Sequence, residues 1–303
     1  MNIRRKGRFS LALTGLLFLA LLAAVVGCQS TPTEAPVEEA PTESAPEPTS
    51  APAGSEDAGE QISVAGSTTV QPLAEKWAGA FKGMNPDVQI DIQGGGSSVG
   101  VKSAGQGTVD VGMASREVKQ SELDEYPNLE VFVVARDGIA IAAHPDVGVD
   151  GLTMDQVQAI FAGEVTNWSE VGGPDKAIVV VAREEGSGTR KAFEEMAMGD
   201  AVIADTAVLL PSNGAVRTTV STTPDSVGFL SFGYLDESVK ALDIDGVEAT
   251  VANAGSGKYP IVRPLNMMTD GEPSGVVKAW LDFILTADEA QAIVVEEGFL
   301  PLR

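Results

Sequence analysis

Four short stretches of this sequence combine Gly with small hydroxyl residues, a combination suited to holding a small oxyanion. They are Ala65-Gly66-Ser67-Thr68-Thr69, Gly94-Gly95-Gly96-Ser97-Ser98, Ala114-Ser115-Arg116, and Arg183-Glu184-Glu185-Gly186-Ser187-Gly188-Thr189. Helix N-termini offer unpaired backbone N–H groups and the positive end of the dipole, and Gly lets an anion approach the backbone closely. Ser and Thr add donors without adding charge. One Gly-Ser turn is weak, but four such stretches from both halves of the chain point to one small oxyanion gripped between them.

The elements that must position these stretches are legible as alternating patterns. Ile62-Ser63-Val64 precedes a helix through Leu73, Trp77 and Phe81, and Val88 to Ile92 precedes another around Val99 to Ala104. Val109 to Met113, Leu129 to Val134 and Ile139 to Ala143 read as three strands. A second series follows: a helix over Asp155 to Phe161 with Thr153 as its N-cap, the strand Ile178 to Val181, and a helix starting near Ser187. Helices are expected over Gly275 to Leu285 and Ala287 to Glu296. This alternation indicates βαβ units and a largely parallel sheet, parsed as two α/β units. In open α/β sheets ligands bind at the carboxyl ends of strands, where the Gly-hydroxyl stretches stand.

Other chemistries fit less well. Gly96-Ser97-Ser98-Val99-Gly100 matches the G-x-S-x-G nucleophile elbow, and a serine hydrolase would then need His144, the single His, with Asp110, Asp124 or Asp137 as its acid. His144 instead ends an apolar strand in Ala-Ala-His-Pro, where a structural or surface role is expected. Gly95 to Ser103 misses a P-loop because Val101 intrudes between Gly100 and Lys102. One Cys and one His cannot close a structural zinc site, so no metal and no cofactor are expected.

Charge divides the 303 residues. Lys and Arg number 20 against 43 Asp and Glu, a net −23, which argues against a nucleic-acid partner. Residues 1–27 hold Arg4, Arg5, Lys6 and Arg8 without an acid, then the apolar run Leu16 to Val26, as a secretory signal does. The run ends in Val25-Val26-Gly27-Cys28, which resembles the lipobox of bacterial lipoproteins and marks Cys28 for lipidation. An uncleaved membrane helix is the alternative reading of the same run. Residues 29–60 contain six Pro and eight acids with no basic residue, so with Cys28 they read as a disordered tether. Residues 61–303 carry 16 basic and 35 acidic residues and form the functional body.

These motifs, in this order, resemble the phosphate-binding proteins of high-affinity phosphate ABC transporters, within the type II periplasmic-binding-protein superfamily. The resemblance extends from Ile62 to Leu302 and includes Val109 through Glu117, Ile160 through Trp168, Ser212-Asn213-Gly214-Ala215-Val216 and Val227-Gly228-Phe229. It implies an α/β fold of two lobes joined by two crossover strands, with the ligand cleft between them. The lobes are expected at residues 61–137 plus 238–303 and at residues 138–237. It implies phosphate binding by Thr68, Thr69, Ser97, Ser115, Arg183, Ser187, Gly188 and Thr189, with support from Ser67, Ser98, Arg116, Glu185 and Asn213.

Glu185 takes the place of an acid that pairs with the binding Arg; a solvent-facing loop carboxylate is its other reading. Ser115-Arg116 stands where many relatives carry an Asp that accepts the proton of hydrogen phosphate. The acceptor role is thereby left open. Arg116 is either a second cleft cation or part of an outward ion pair, and Asp110 is expected to support its strand. The implied protein is a monomeric, lipid-anchored receptor on the extracytoplasmic face of the cell membrane. It delivers inorganic phosphate to an ABC permease and catalyses nothing. Another oxyanion, or an anion sensor, are the alternative readings.

Overall fold

The computed structural model describes residues 60–303. The signal, Cys28 and nearly all of the tether lie outside them. In chain order the elements are β1 (Gln61–Gly66), α1 (Gln71–Met84), β2 (Gln89–Gln93), α2 (Ser97–Gly105), β3 (Val111–Ala114), α3 (Gln120–Glu125), β4 (Leu129–Ala143), β5 (Gly151–Leu152) and α4 (Met154–Phe161). There follow β6 (Val179–Arg183), α5 (Gly188–Phe193), β7 (Val208–Leu210), α6 (Asn213–Thr222), β8 (Ser226–Ser231), β9 (Lys240–Ile244), α7 (Val251–Gly255), β10 (Val262–Asp270), α8 (Gly275–Thr286) and α9 (Asp288–Glu296).

The strand order is β2-β1-β3-β10-β4-β8-β6-β7, with β9 on β4 and β5 on β9. β1, β2 and β3 are parallel to one another, as are β6, β7 and β8, whereas β10 and β4 run antiparallel to their neighbours. The fold is thus α/β with two lobes, and the two antiparallel strands are the crossovers. The two runs expected as separate strands at Leu129 to Val134 and Ile139 to Ala143 are one strand of 15 residues. Its first part, up to Gly138, pairs with β10, and from Ile139 onward it pairs with β8. Ala135 to Gly138, between those two runs, continue the strand because their backbone pairs with Leu265 to Val262 of β10. β10 carried no expectation from the sequence.

Two cores flank the crossovers. The first gathers Ile62, Leu73, Trp77, Val111, Leu265 and Trp280, and the Trp77 indole donates to Ala290 O at 2.9 Å, tying α1 to α9. In α1 the buried Leu73, Ala74, Trp77 and Phe81 lie on one helical face, and Pro72 stands in the first turn, where its missing N–H costs nothing. The second core is built on Phe161, Phe193 and Phe229, with ring centroids 4.2 to 5.5 Å apart. Thr153 caps α4 as expected, its hydroxyl accepting from Gln156 N at 3.2 Å while Gln156 Oε1 accepts from Thr153 N at 2.8 Å. The stretch after residue 237, expected with the first lobe, contributes Leu242, Ile244, Ala254, Tyr259 and Ile261 to the second core. The physical reason is β9, which pairs with β4 beyond its crossing point.

Candidate functional site

The carboxyl ends of β1, β3 and β6 and the first turns of α1, α2, α5 and α6 converge on a layer of buried polar side chains. Ser67, Thr69, Ser97, Ser115, Arg183, Ser187, Thr189 and Asn213 are each at most 6% exposed. Between the two halves of the molecule, Thr69 Oγ1 meets Thr189 Oγ1 at 3.1 Å and accepts from Asn213 Nδ2 at 2.8 Å. Ser98 N donates to Gly186 O at 3.1 Å. Ser97 Oγ accepts from Ser115 N at 2.9 Å and lies 3.4 Å from Ser115 Oγ. Gly188 is required here: a Cβ on it would collide with both Ser97 Oγ and Ser115 Oγ. The hydroxyls of Ser187 and Ser212 cap α5 and α6, accepting from Arg190 N and Ala215 N.

Arg183 ends β6 inside this layer. Its Nε donates to Leu210 O at 3.2 Å, and its Nη2 donates to Pro211 O at 2.8 Å and Thr68 Oγ1 at 3.3 Å. Its Nη1 is buried without a hydrogen-bond partner among the described residues. Burial, with the positive charge of Arg263 second, lowers its pKa to about 10, so it remains a cation at neutral pH. A cavity of ≈ 350 Å³ opens beside it, lined by Thr68, Gly95, Gly96, Arg183, Glu184, Glu185, Ser187, Pro211 and Ser212. Tyr234, its phenol pushed up to about 12 by burial, donates to Thr68 O at 2.7 Å and holds that loop in place. The arrangement offers one guanidinium nitrogen unpaired among the described residues, several hydroxyls and Gly-rich backbone: donors for a small anion.

A domain of the PBP superfamily matches residues 51–288. The chain belongs to the PBP superfamily. Within that superfamily, the phosphate-binding protein PstS of Bacillus subtilis is 35% identical over 250 residues, covering 82% of this chain and 83% of the relative. PstS of Pseudomonas aeruginosa is 30% identical over 267 residues, 80% and 83% of the two chains. A crystal structure with bound phosphate from Clostridium perfringens, assigned as a phosphate ABC transporter substrate-binding protein, is 39% identical with a TM-score of 0.78. It covers 80% of this chain and 100% of that one. An ABC-type phosphate transport receptor from Vibrio cholerae is 32% identical with a TM-score of 0.67, covering 80% and 100%.

In this PBP-superfamily chain the expected residues do not all share one role. Thr68, Thr69, Ser97, Ser115, Arg183, Ser187, Gly188, Thr189 and Asn213 come together as described. Ser67 serves the backbone: its Oγ accepts from Thr69 N at 3.1 Å and Val70 N at 3.4 Å, turning the chain into α1. Glu185 is 85% exposed and pairs with Arg190 at 2.8 Å rather than with Arg183, so of its two readings the loop carboxylate stands.

Arg116 meets each of its two expectations in part: it lines a small pocket with Ser98, Gly186 and Ser187, and it is ion-paired without pointing outward. It is 2% exposed, yet its two Nη atoms grip Glu122 at 2.7 and 2.8 Å, and Ser98 Oγ accepts from Nη2 at 3.4 Å. It is therefore a buried cation already neutralised, because α3 brings Glu122 back over it. Burial raises the Glu122 carboxyl, but the Arg116 guanidinium and the Lys119 amide outweigh this and hold it below its usual value. Asp110 supports the strand as expected, accepting from Ser63 N at 2.8 Å and Ser63 Oγ at 2.7 Å. His144 accepts from Asp146 N within its own turn, and among the described residues no hydrogen bond joins it to Ser98.

The pair Asp137 and Arg263 was missed. It lies at the crossovers, 0% and 1% exposed, joined at 2.7 Å. Its signal in the sequence was Asp137, beside Arg136, and Arg263, charges set within two otherwise apolar stretches, Ala135 to Ala143 and Ile261 to Leu265. The sequence offers Asp137 as one candidate acid of a hydrolase; in the structure it accepts from Arg263, Ser231 Oγ and Phe232 N instead.

Proposed function

We propose that this protein is a substrate-binding protein that captures inorganic phosphate between its two lobes and delivers it to the permease of an ABC transporter. The observation that carries the reading is Arg183 Nη1, a buried guanidinium nitrogen without a partner among the described residues, in a side chain that lines the cavity beside the layer of buried hydroxyls contributed by both lobes. A buried donor left unsatisfied costs about 1 to 3 kcal/mol, more when charged, and an oxyanion removes that cost. A micromolar site needs about 8 kcal/mol net, which five or six charge-assisted bonds of roughly 1.5 to 3 kcal/mol each can supply with a margin for closing the lobes. The phosphate-binding relatives support the choice of anion.

The moving bodies in this proposal are residues 61–138 with 262–303, and residues 139–261, hinged where β4 and β10 cross. Processing after Gly27 and lipidation at Cys28 would tether a monomer to the outer face of the cytoplasmic membrane, residues 29–60 serving as the spacer. Calorimetry with inorganic phosphate is the test. Saturable binding is expected; no binding at millimolar phosphate overturns the function. Cys28→Ser protein that is still anchored overturns the anchor. Ser115 in place of a carboxylate favours a second reading, another tetrahedral oxyanion, and sulfate competing as well as phosphate would establish it.

A further inference from the structure

Hydroxyls are ambiguous ligands, since each has one proton to give and two lone pairs that accept. A site lined with Thr and Ser is an anion site only if something fixes which way those protons point. Arg263, near the start of β10, is placed to do this. Asp137 Oδ2 accepts from its Nε at 3.0 Å and its Nη2 at 2.7 Å, while Oδ1 of the same carboxylate accepts from Ser231 Oγ at 3.0 Å and Phe232 N at 3.2 Å. Held this way, the guanidinium donates from Nη1 to Ser115 O at 2.9 Å and Ser115 Oγ at 3.3 Å, and from Nη2 to Thr69 Oγ1 at 3.3 Å.

The consequence for Thr69 follows from counting. Its oxygen accepts from Arg263 and from Asn213 Nδ2, whose amide is oriented by Ser231 N donating to Asn213 Oδ1 at 3.3 Å. Both lone pairs are then used, so the Thr69 proton can only be donated. Thr189 Oγ1, 3.1 Å away, receives it and keeps its own proton free to donate to an anion. Ser115 has one lone pair occupied in the same way.

We propose that Arg263, clamped by Asp137, is a positioning residue of the anion site that sets the Thr69 hydroxyl, and through it that of Thr189, as donors while taking up one lone pair of Ser115. It does so from the crossover, where Asp137 also holds the β8 end of the second lobe. This rests on the phosphate-binding reading. Arg263 does not replace Arg183 as the ligand's cation, because every nitrogen of its guanidinium already has a protein acceptor.

The test is phosphate calorimetry on the full chain, with melting curves, for wild type, Arg263→Lys, Thr69→Val, Ser187→Ala and the double variants of Arg263→Lys with each of the last two. Lys keeps the charge beside Asp137 but cannot reach Thr69 and Ser115 together. We expect Arg263→Lys and Thr69→Val each to weaken binding about tenfold, and the pair to bind within about threefold of the weaker single variant. With Ser187, which Arg263 does not touch, the losses should multiply.

Wild-type affinity in Arg263→Lys, or losses that multiply with Thr69→Val as they do with Ser187→Ala, overturns the inference while leaving the phosphate reading intact. Wild type that binds no phosphate overturns both. Should Arg263→Lys melt below the assay temperature, the neutral pair Asp137→Asn/Arg263→Gln takes its place in both cycles under the same criteria.

Discussion

Arg116 and Arg183 stand at comparable places, one just after β3 in the first lobe and one at the end of β6 in the second, and each is 2% exposed. They have opposite fates. Arg116 is gripped through both Nη atoms by Glu122, which α3 brings back over it. Arg183 has two carbonyls and a hydroxyl but no carboxylate, and its Nη1 is unpartnered among the described residues. Burial by itself does not make an arginine a ligand-binding group. A cation that has been desolvated but not neutralised retains the free energy to bind an anion, whereas one that is bidentately paired has spent it.

The strongest way to break this contrast is Arg183→Ala, for which phosphate affinity should fall by two orders of magnitude or more in calorimetry, on the order of 3 kcal/mol. Raising the pH tests the same charge without mutation. With its pKa lowered to about 10, Arg183 is charged at neutral pH and loses its proton above that value. Affinity attributable to it should therefore be flat up to about pH 9 and then decline by up to about tenfold per pH unit.

Glu122→Gln attacks the other arm, leaving Arg116 buried and unneutralised. Melting curves should show a loss of about 2 to 3 kcal/mol, less than for a wholly buried pair because Glu122 is 17% exposed. The sign of its pH dependence also follows. A carboxyl held below its usual value contributes stability that is present above the unfolded pKa and is lost as acid protonates the folded group. Glu122→Gln should therefore flatten the acid limb of the stability curve. Thr189→Val, which removes one hydroxyl of the buried polar layer, should weaken phosphate binding about five- to tenfold. Glu75→Ala, on the exposed side of α1 where Glu75 only meets Gln71, should change affinity less than twofold.

Most of the site was legible because its chemistry lies in local stretches. Gly66 to Thr69, Gly94 to Ser98 and Arg183 to Thr189 each carry turn, cap and donor within a few residues, and the resemblance to a family ordered them. The individual helices were legible for the same reason, as with the Leu73, Trp77 and Phe81 face of α1 and the Thr153 cap of α4. What could not be read was pairing over long sequence distance. Glu122 and Arg116 are close in sequence, yet their bidentate geometry depends on where α3 folds back. Asp137 and Arg263 are 126 residues apart and meet only because β4 and β10 are antiparallel neighbours. The passage of residues 240–261 into the second core had a similar cause, since strand pairing of β9 leaves no local mark.

By itself the sequence determined the donor chemistry of the site, since Gly, Ser, Thr and Arg at strand ends can do little else together. It also set the acidic surface, which excludes extended polyanions without excluding one small buried oxyanion. The tertiary structure decided which arginines keep an unspent charge, and which way the hydroxyls of Thr69 and Thr189 are set. Residue types fix how many protons and lone pairs are available, but their direction depends on neighbours brought from distant parts of the chain, and only the fold chooses those neighbours.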